Sequence, residues 1–178
     1  MIYIITGPSG VGKNTIINEL SKHLEFYFSV SHTTRPRRDN EIDGKDYYFI
    51  TEDEFENLIK SDQMIEYEQY GDFYYGTSKE ELSNDSSIII LDLEVNGATK
   101  LLEEDNSFKG IFIDIDDYEL IKRLKNRGHD ESFIKKRMKL ANLQREKKEL
   151  YQYHVDNEDI KTSVNQILDI IYELEESW

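Results

Sequence analysis

Seven residues, Gly7-Pro8-Ser9-Gly10-Val11-Gly12-Lys13, constrain this chain more than any other stretch. They follow a short apolar run, Ile2–Ile5, and precede Ile16, Ile17, Leu20 and Leu24 at helical spacing, so the pattern reads strand, tight loop, helix. Gly7-x-x-x-x-Gly12-Lys13 in that setting is a phosphate-binding loop. Its glycines let successive backbone N–H groups converge on one concavity, and the following helix adds unsatisfied N–H groups and the positive end of its dipole. Lys13 supplies a compact charge for the terminal phosphates of a nucleotide. A glycine-rich turn without a ligand needs no lysine behind its last glycine.

Where such loops carry Ser or Thr to ligate Mg²⁺, this chain has Asn14, followed by Thr15. Three arrangements stay open: the Asn14 carbonyl as a ligand, help from Thr15, or a metal held mainly by phosphates and water. A second acidic element, Asp92 and Glu94, ends the apolar run Ile88–Leu91. Ligands of open parallel sheets lie beyond the carboxyl ends of the strands, so both acids are expected to face the loop, with Asp92 a candidate for holding the metal or its waters. Singly, each is equally compatible with an ordinary surface acid.

Strand-like segments alternate with helical ones over most of the 178 residues: Phe26–Val30, Ser87–Leu93, Gly110–Ile115 and a short Tyr153–Val155 against helices at Val95–Leu102, Tyr118–Leu124, 132–150 and 160–174. That alternation predicts an α/β fold, a central parallel sheet covered on both faces in three layers. Residues 32–79 interrupt it with Tyr47–Ile50, a capping box at Thr51-x-x-Glu54, and a hairpin of Met64–Tyr70 and Phe73–Tyr75 around Gly71-Asp72. The stretch is too short to bury a core alone and reads as an insertion in one domain. The expected core is about 1–31, 80–126 and 145–178, the insertion about 32–79, with about 127–144 between.

The chain holds 22 Lys and Arg against 37 Asp and Glu, a formal charge of −15, which excludes a general nucleic-acid binder needing a broad basic face. Half of the cations nevertheless lie between Lys122 and Lys148, beside only three acids, and a smaller cluster is Arg35, Arg37 and Arg38. Runs of lysine are commonly solvated helix faces; arginines in loops present a planar fork that matches phosphate oxygens. No apolar run approaches the roughly 20 residues of a membrane span, and the start lacks a signal-peptide pattern. Zero Cys removes thiolate metal sites and cysteine nucleophiles and fits a reducing cytoplasm. A cytoplasmic protein working without membrane or nucleic acid is expected.

Beyond Gly7–Lys13, further blocks stand out: Ser29-Val30-Ser31-His32-Thr33-Thr34-Arg35-Pro36-Arg37-Arg38, Asp43-Gly44-Lys45-Asp46-Tyr47-Tyr48-Phe49, Ile65-Glu66-Tyr67 and Tyr74-Tyr75-Gly76-Thr77-Ser78. Leu91-Asp92-Leu93-Glu94-Val95-Asn96-Gly97, Arg123-Leu124 with Arg127-Gly128, and Val155-Asp156-Asn157-Glu158-Asp159 continue the series. In these blocks, which run in family order along essentially the whole chain, the sequence resembles the guanylate kinases. The resemblance implies a P-loop nucleoside-monophosphate kinase fold with a GMP-binding insertion and a basic lid closing over ATP. It implies phosphorylation of GMP, and of dGMP, by ATP with Mg²⁺, in a monomer or homodimer. Carried over by position, Gly7 to Thr15 and Asn157 would bind ATP, and Lys13, Arg35, Arg127, Arg137 and Asp92 would serve transfer, with Arg123 assisting. Arg35, Arg38, Tyr47 and Tyr75 would hold the GMP phosphate, while Glu66, with Ser31, Thr77 and Glu94, would meet the nucleoside.

Residue chemistry agrees at Glu66. Guanine presents N1–H and the N2 amino group side by side, and one ionised carboxylate accepts both; adenine offers neither. Tyr47, Tyr48, Tyr74 and Tyr75 have a packing role available too, and alternation expects one of each pair to take it. Glu94 and Asn96 stand where the family usually has Asp and Gln, each moved by a methylene. The stretch from Arg127 to Arg137 is short for a lid, which leaves Arg145 as a substitute for Arg137. Two other readings compete: an inactive guanylate-kinase-like binding module, and a P-loop kinase for another small phosphate such as a ribose bisphosphate.

Overall fold

A computed structural model describes residues 1–176, the side chain of Tyr70 excepted; the last two residues of the 145–178 core segment lie outside the described residues. The chain opens with β1 (Ile2–Thr6) and, after the glycine loop, enters α1 (Lys13–Leu20). Leu24, expected on that helix, lies beyond its end and packs partly buried against the same core. The strand expected at Phe26–Val30 shortens to β2 (Tyr27–Phe28), and β3 (His32–Thr33) and β4 (Tyr48–Phe49) are equally brief. β3 falls in a stretch without apolar pattern, because two residues leave no alternation to read. α2 (Glu52–Lys60) starts at the expected capping box: Glu54 N–H donates to Thr51 Oγ1 at 3.2 Å, and Thr51 N–H donates to the Glu54 carboxylate at 2.7 Å.

The hairpin forms as β5 (Met64–Tyr70) and β6 (Phe73–Ser78), the latter three residues longer than expected. Then follow β7 (Ile89–Asp92), α3 (Val95–Glu104), β8 (Phe108–Asp114), α4 (Asp117–Asn126), α5 (Glu131–Arg145), β9 (Tyr153–Asp156) and α6 (Ile160–Glu176). The helix expected over 132–150 therefore stops at Arg145, and Lys148–Leu150 tightens into a 3₁₀ turn. The break swings Tyr151 into the core, where it is 3% exposed and donates its hydroxyl to the Val95 carbonyl at 3.0 Å.

Five strands form one parallel sheet in the order β2-β7-β1-β8-β9. Alternation divides its side chains between two faces, which explains why the strands read as continuous apolar runs. Tyr3, Ile5, Ile90, Ile111 and Ile113 pack with α1, α4, α5 and α6, while Ile4, Ile89, Leu91 and Phe112 pack with α3 and Tyr151. The other four strands make a second, mixed sheet in the order β4-β3-β6-β5, with β3 parallel to β4 and the remaining pairs antiparallel. This second sheet is the region between residues 32 and 79.

The chain crosses from β1 to β2 on one side of the sheet, and later from β7 past β1 to β8 on the other. The strand order reverses at β1, and a crevice opens beyond its carboxyl end. The glycine loop begins there. Register pairs Ile5 with Asp92, so the end of β7 lies beside the loop.

Candidate active site

Gly12 caps α1 at φ 103°, a left-handed conformation in which a side chain would be strained. A Cβ there would also sit 2.5 Å from Asn157 Nδ2. That contact belongs to a brace. Asn157 Nδ2 and Arg123 Nη1 both donate to the Val11 carbonyl, at 2.7 and 2.9 Å, and Arg123 Nη2 donates to the Asn157 carbonyl at 2.7 Å. The loop's backbone is thus held at Val11 by α4 and by the turn after β9. Lys13 Nζ donates to the Gly7 carbonyl at 2.9 Å and lies 4.0 Å from Asp92 Oδ1. Burial pushes the Asp92 carboxyl up, and the Lys13 charge works against that rise.

The remaining loop-side residues face a different cavity. Thr15, Arg123, Arg127 and Asn157 line a space of about 380 Å³ on the outer side of the loop, with Glu158 and Asp159 at its rim. Asn14 is exposed on the first turn of α1. Thr15 and Asp92 therefore do not converge, and among the described residues no cluster of three or more His, Asp or Glu side chains forms a metal cage. The donor set fits a divalent cation that arrives with a polyphosphate, keeps its waters, and meets Asp92 as the protein carboxylate at the loop.

Across the crevice lies a cleft of about 310 Å³. Ser9, Lys13 and Asp92 form one wall, and Ser31, Tyr47, Glu66 and Tyr75 form the other. Glu94 and Arg137 close it from α3 and α5. Glu66 sits on β5, and its carboxylate rests on the first turn of α3: a Cβ on Gly97 would come within 2.7 Å of Glu66 Oε2. Desolvation pushes the Glu66 carboxyl up to about 7, with Glu68 and Glu94 adding to the rise and hydrogen bonding to Thr77 opposing it. Thr77 is fully buried and shares a hydrogen bond of 3.0 Å with Ser31.

Of the paired tyrosines, one of each packs, as alternation expects. Tyr74 stacks on Phe55 at 5.4 Å and Tyr48 tilts against His32 at 4.8 Å, while Tyr47 and Tyr75 line the cleft with their rings 6.0 Å apart, edge to face. Burial raises the Tyr47 hydroxyl. Arg35 lies over Tyr47 and Phe49, 5.7 Å from each ring centroid, and forks onto both carboxylate oxygens of Glu41 at 2.7 and 3.0 Å. The Arg38 N–H joins the same carboxylate at 2.8 Å, and its side chain is exposed. Hydrogen bonds from Arg35, then from Arg38, hold the Glu41 carboxyl down at about 2. Glu41 thus keeps the arginine cluster in shape, and an incoming anion meets Arg35 beside a carboxylate it must share or displace. Sequence reasoning did not single out Glu41; its signal was an acid six residues beyond Arg35 in an arginine-rich loop.

The two arginines expected to compete for the lid role part company. Arg137 lines the cleft, with its guanidinium 4.9 Å over the Phe133 ring, itself stacked on His129 at 4.1 Å. Arg145 is spent elsewhere: Nε donates to both Asp114 oxygens at 3.0 and 3.1 Å, Nη1 to Asp117 and Nη2 to the Ile115 carbonyl. It fixes the end of α5 to the core and lies outside the cleft.

A glycine-lysine loop thus borders a cleft whose opposite wall carries the desolvated Glu66 carboxylate. The guanylate kinase family model matches residues 1–174. The chain belongs to the guanylate kinase family. It is 40% identical to the guanylate kinase of Lactiplantibacillus plantarum over 178 residues, covering 96% of this chain and 86% of that one. It is 34% identical to the guanylate kinase of a Synechococcus strain, covering 96% and 82%. The crystal structure of guanylate kinase from Anaplasma phagocytophilum superposes with a TM-score of 0.78 at 29% identity, over 97% of this chain and 85% of that one.

Family membership makes Gly97 a test of the cleft. Gly97→Ala gains about 1 kcal/mol of helix propensity, yet its methyl group meets Glu66 Oε2 at 2.7 Å and Cγ at 3.2 Å. The carboxylate must swing aside. We expect a melting temperature near the parent's and a KM for GMP raised roughly tenfold or more, read from steady-state kinetics with GMP varied. An unchanged KM would mean that the guanine partner is not Glu66.

Proposed function

We propose that this chain transfers the γ-phosphoryl group of ATP directly to GMP, and to dGMP, inside the cleft between Lys13 and Glu66. The observation that carries the reading is the single cleft joining the loop lysine and Asp92 to a desolvated carboxylate on the opposite wall, with Arg137 between. Whole-length kinship with guanylate kinases favours neither the inactive binding module nor the ribose-bisphosphate kinase.

The nucleophile is a GMP phosphate oxygen, already anionic, so no general base is required. Phosphoryl transfer then needs in-line positioning and charge neutralisation. Glu66 accepts from guanine N1–H and N2–H, with Ser31, Thr77 and Glu94 shaping its surroundings. Arg35, Arg38, Tyr47 and Tyr75 hold the acceptor phosphate, and Glu41 keeps Arg35 in place until that phosphate arrives. The loop's N–H groups, with Gly7 to Thr15, cradle the ATP phosphates, while Lys13 faces the group in flight. Arg127 and Asn157 line the outer cavity, which suits the nucleoside end of ATP; Arg123 serves by bracing the loop. Arg137, carried on α5, neutralises the transferring phosphoryl group, and residues 127–144 act as a lid whose closure excludes water. Asp92 would hold Mg²⁺ through its waters beside the ATP phosphates, where the ion would supply further charge neutralisation.

One copy of the chain contains every group named, so the chemistry needs no partner subunit, and both monomer and homodimer are compatible with it. ATP and GMP place the work in the cytoplasm. Among the described residues no helix is long and apolar enough to cross a membrane. A coupled assay with GMP, dGMP, AMP, UMP and a ribose phosphate as acceptors tests the reading: turnover is expected with the first two, and a preference for the ribose phosphate, or no turnover at all, would overturn it.

A further inference from the structure

Helix α5 reaches the cleft twice along one face. Arg137 and Gln144 are seven residues apart, close to two turns at 3.6 residues per turn, so both point the same way. Arg137 lines the cleft, and Gln144, only 8% exposed, donates from Nε2 to Glu94 Oε2 at 3.2 Å. Gln144 Oε1 is buried with no hydrogen-bond partner among the described residues. Leaving that acceptor unpaired is unfavourable, so packing alone does not explain an amide here.

Glu94 has a competing use. It is the N-cap residue of α3, where a side-chain oxygen ordinarily turns back to accept from the helix N–H groups, yet its side chain makes no cap bond. The Gln144 amide holds it away from the helix end and beside the cleft. Three residues on, Lys147 Nζ donates to Asn96 Oδ1 at 2.6 Å, and Asn96 Nδ2 donates to Glu68 Oε1 at 3.2 Å. Two links therefore tie the end of α5 to the same first turn of α3 that presses Gly97 against Glu66.

We propose that Gln144 is a positioning residue for the acceptor site: its amide aims the Glu94 carboxylate into the cleft and sets α5, with Arg137, in register with bound GMP. The proposal rests on the cleft being the GMP site. Its partner Glu94 touches the acceptor; Gln144 acts only through it.

Two variants test the link. Gln144→Met keeps the volume and removes the donor; Gln144→Glu keeps the shape and sets a second carboxylate against Glu94. The KM for GMP should rise roughly tenfold in the first, the scale of a lost hydrogen bond to a charged group, and further in the second. The KM for ATP should stay within about twofold in both, because the loop and its brace are untouched. A double-mutant cycle with Glu94→Gln then separates positioning from packing: on that background Gln144→Met should add less than about twofold. Should the methionine variant not fold, the glutamate variant, isosteric with the parent, carries the same comparison. An unchanged KM for GMP in both variants overturns the proposal. So do equal losses on both Glu94 backgrounds, or a lowered melting temperature with parallel losses for ATP and GMP. A parent chain without GMP turnover would bring down the acceptor assignment itself, whereas normal parent kinetics with unaffected variants would bring down this proposal alone.

Discussion

Replacing Lys13 with alanine is expected to lower kcat by about 10³-fold or more, the scale seen when a charge aimed at a transferring phosphoryl group is removed, with GMP affinity nearly unchanged. The ammonium is tethered to the Gly7 carbonyl at 2.9 Å and stands beside Asp92, so its charge sits on the loop wall of the cleft, opposite the wall that the second sheet supplies. The residues proposed for GMP, Arg35, Tyr47, Glu66 and Tyr75, are carried by that second sheet and its loops. Steady-state kinetics together with calorimetric titration of GMP would read the two effects separately. A parallel collapse of GMP binding would contradict the division of labour between the two walls. The same substitution removes the cation opposing the upward shift at Asp92, so that carboxyl should rise further in the variant.

Glu66→Gln is the second large effect, and it should move stability and function in opposite directions. Burial lifts this carboxyl from its ordinary 4.5 up to about 7. An acid whose folded value lies above its unfolded value costs the fold upon ionising: the cost is absent below about 4.5, builds as pH rises, and is complete above about 7. At pH near 8 the glutamine variant should therefore be more stable without ligand by about 1–3 kcal/mol, measured by denaturant unfolding. Function runs the other way. A carboxylate accepts both guanine donors, whereas the amide turns its own N–H₂ toward one of them, so selectivity for GMP over AMP should fall by up to ~10⁴-fold. The same carboxyl predicts that the parent's KM for GMP decreases as pH rises through about 7 and then levels, relative to the glutamine variant. Equal GMP selectivity in parent and variant would refute the guanine assignment.

Much of this architecture is legible in residue order because it is local or periodic. The Gly7–Lys13 loop between Ile2–Ile5 and the Ile16, Ile17, Leu20 stripe has one physical solution, and the alternation of apolar runs sets a parallel sheet whose strands are buried on both faces. Asp92 was placed at the loop by the rule that ligands sit beyond strand ends, and Thr51 with Glu54 marked the start of α2. What escaped is long-range. Asn157 reaches Val11, Gly97 presses on Glu66, Gln144 meets Glu94, and Arg145 is consumed by Asp114 and Asp117; these contacts join residues 28 to 146 positions apart and leave no periodic trace. Arg145 shows the limit well: as a letter it is interchangeable with Arg137, and only packing decides which one has a free face. The helix end at Arg145 was missed for a related reason, since the demand that broke it, a seat for Tyr151 beneath α3, lies outside the helix.

The placement of β1 has a consequence for synthesis. β1 becomes the middle of the five-stranded sheet, yet both its neighbours, β7 and β8, are made more than eighty residues later. The glycine loop must wait longer still, until Arg123 and Asn157 exist to grip Val11. During synthesis the nucleotide loop therefore stays without this brace until Asn157 has been made, a topology that favours late, cooperative maturation over stepwise assembly.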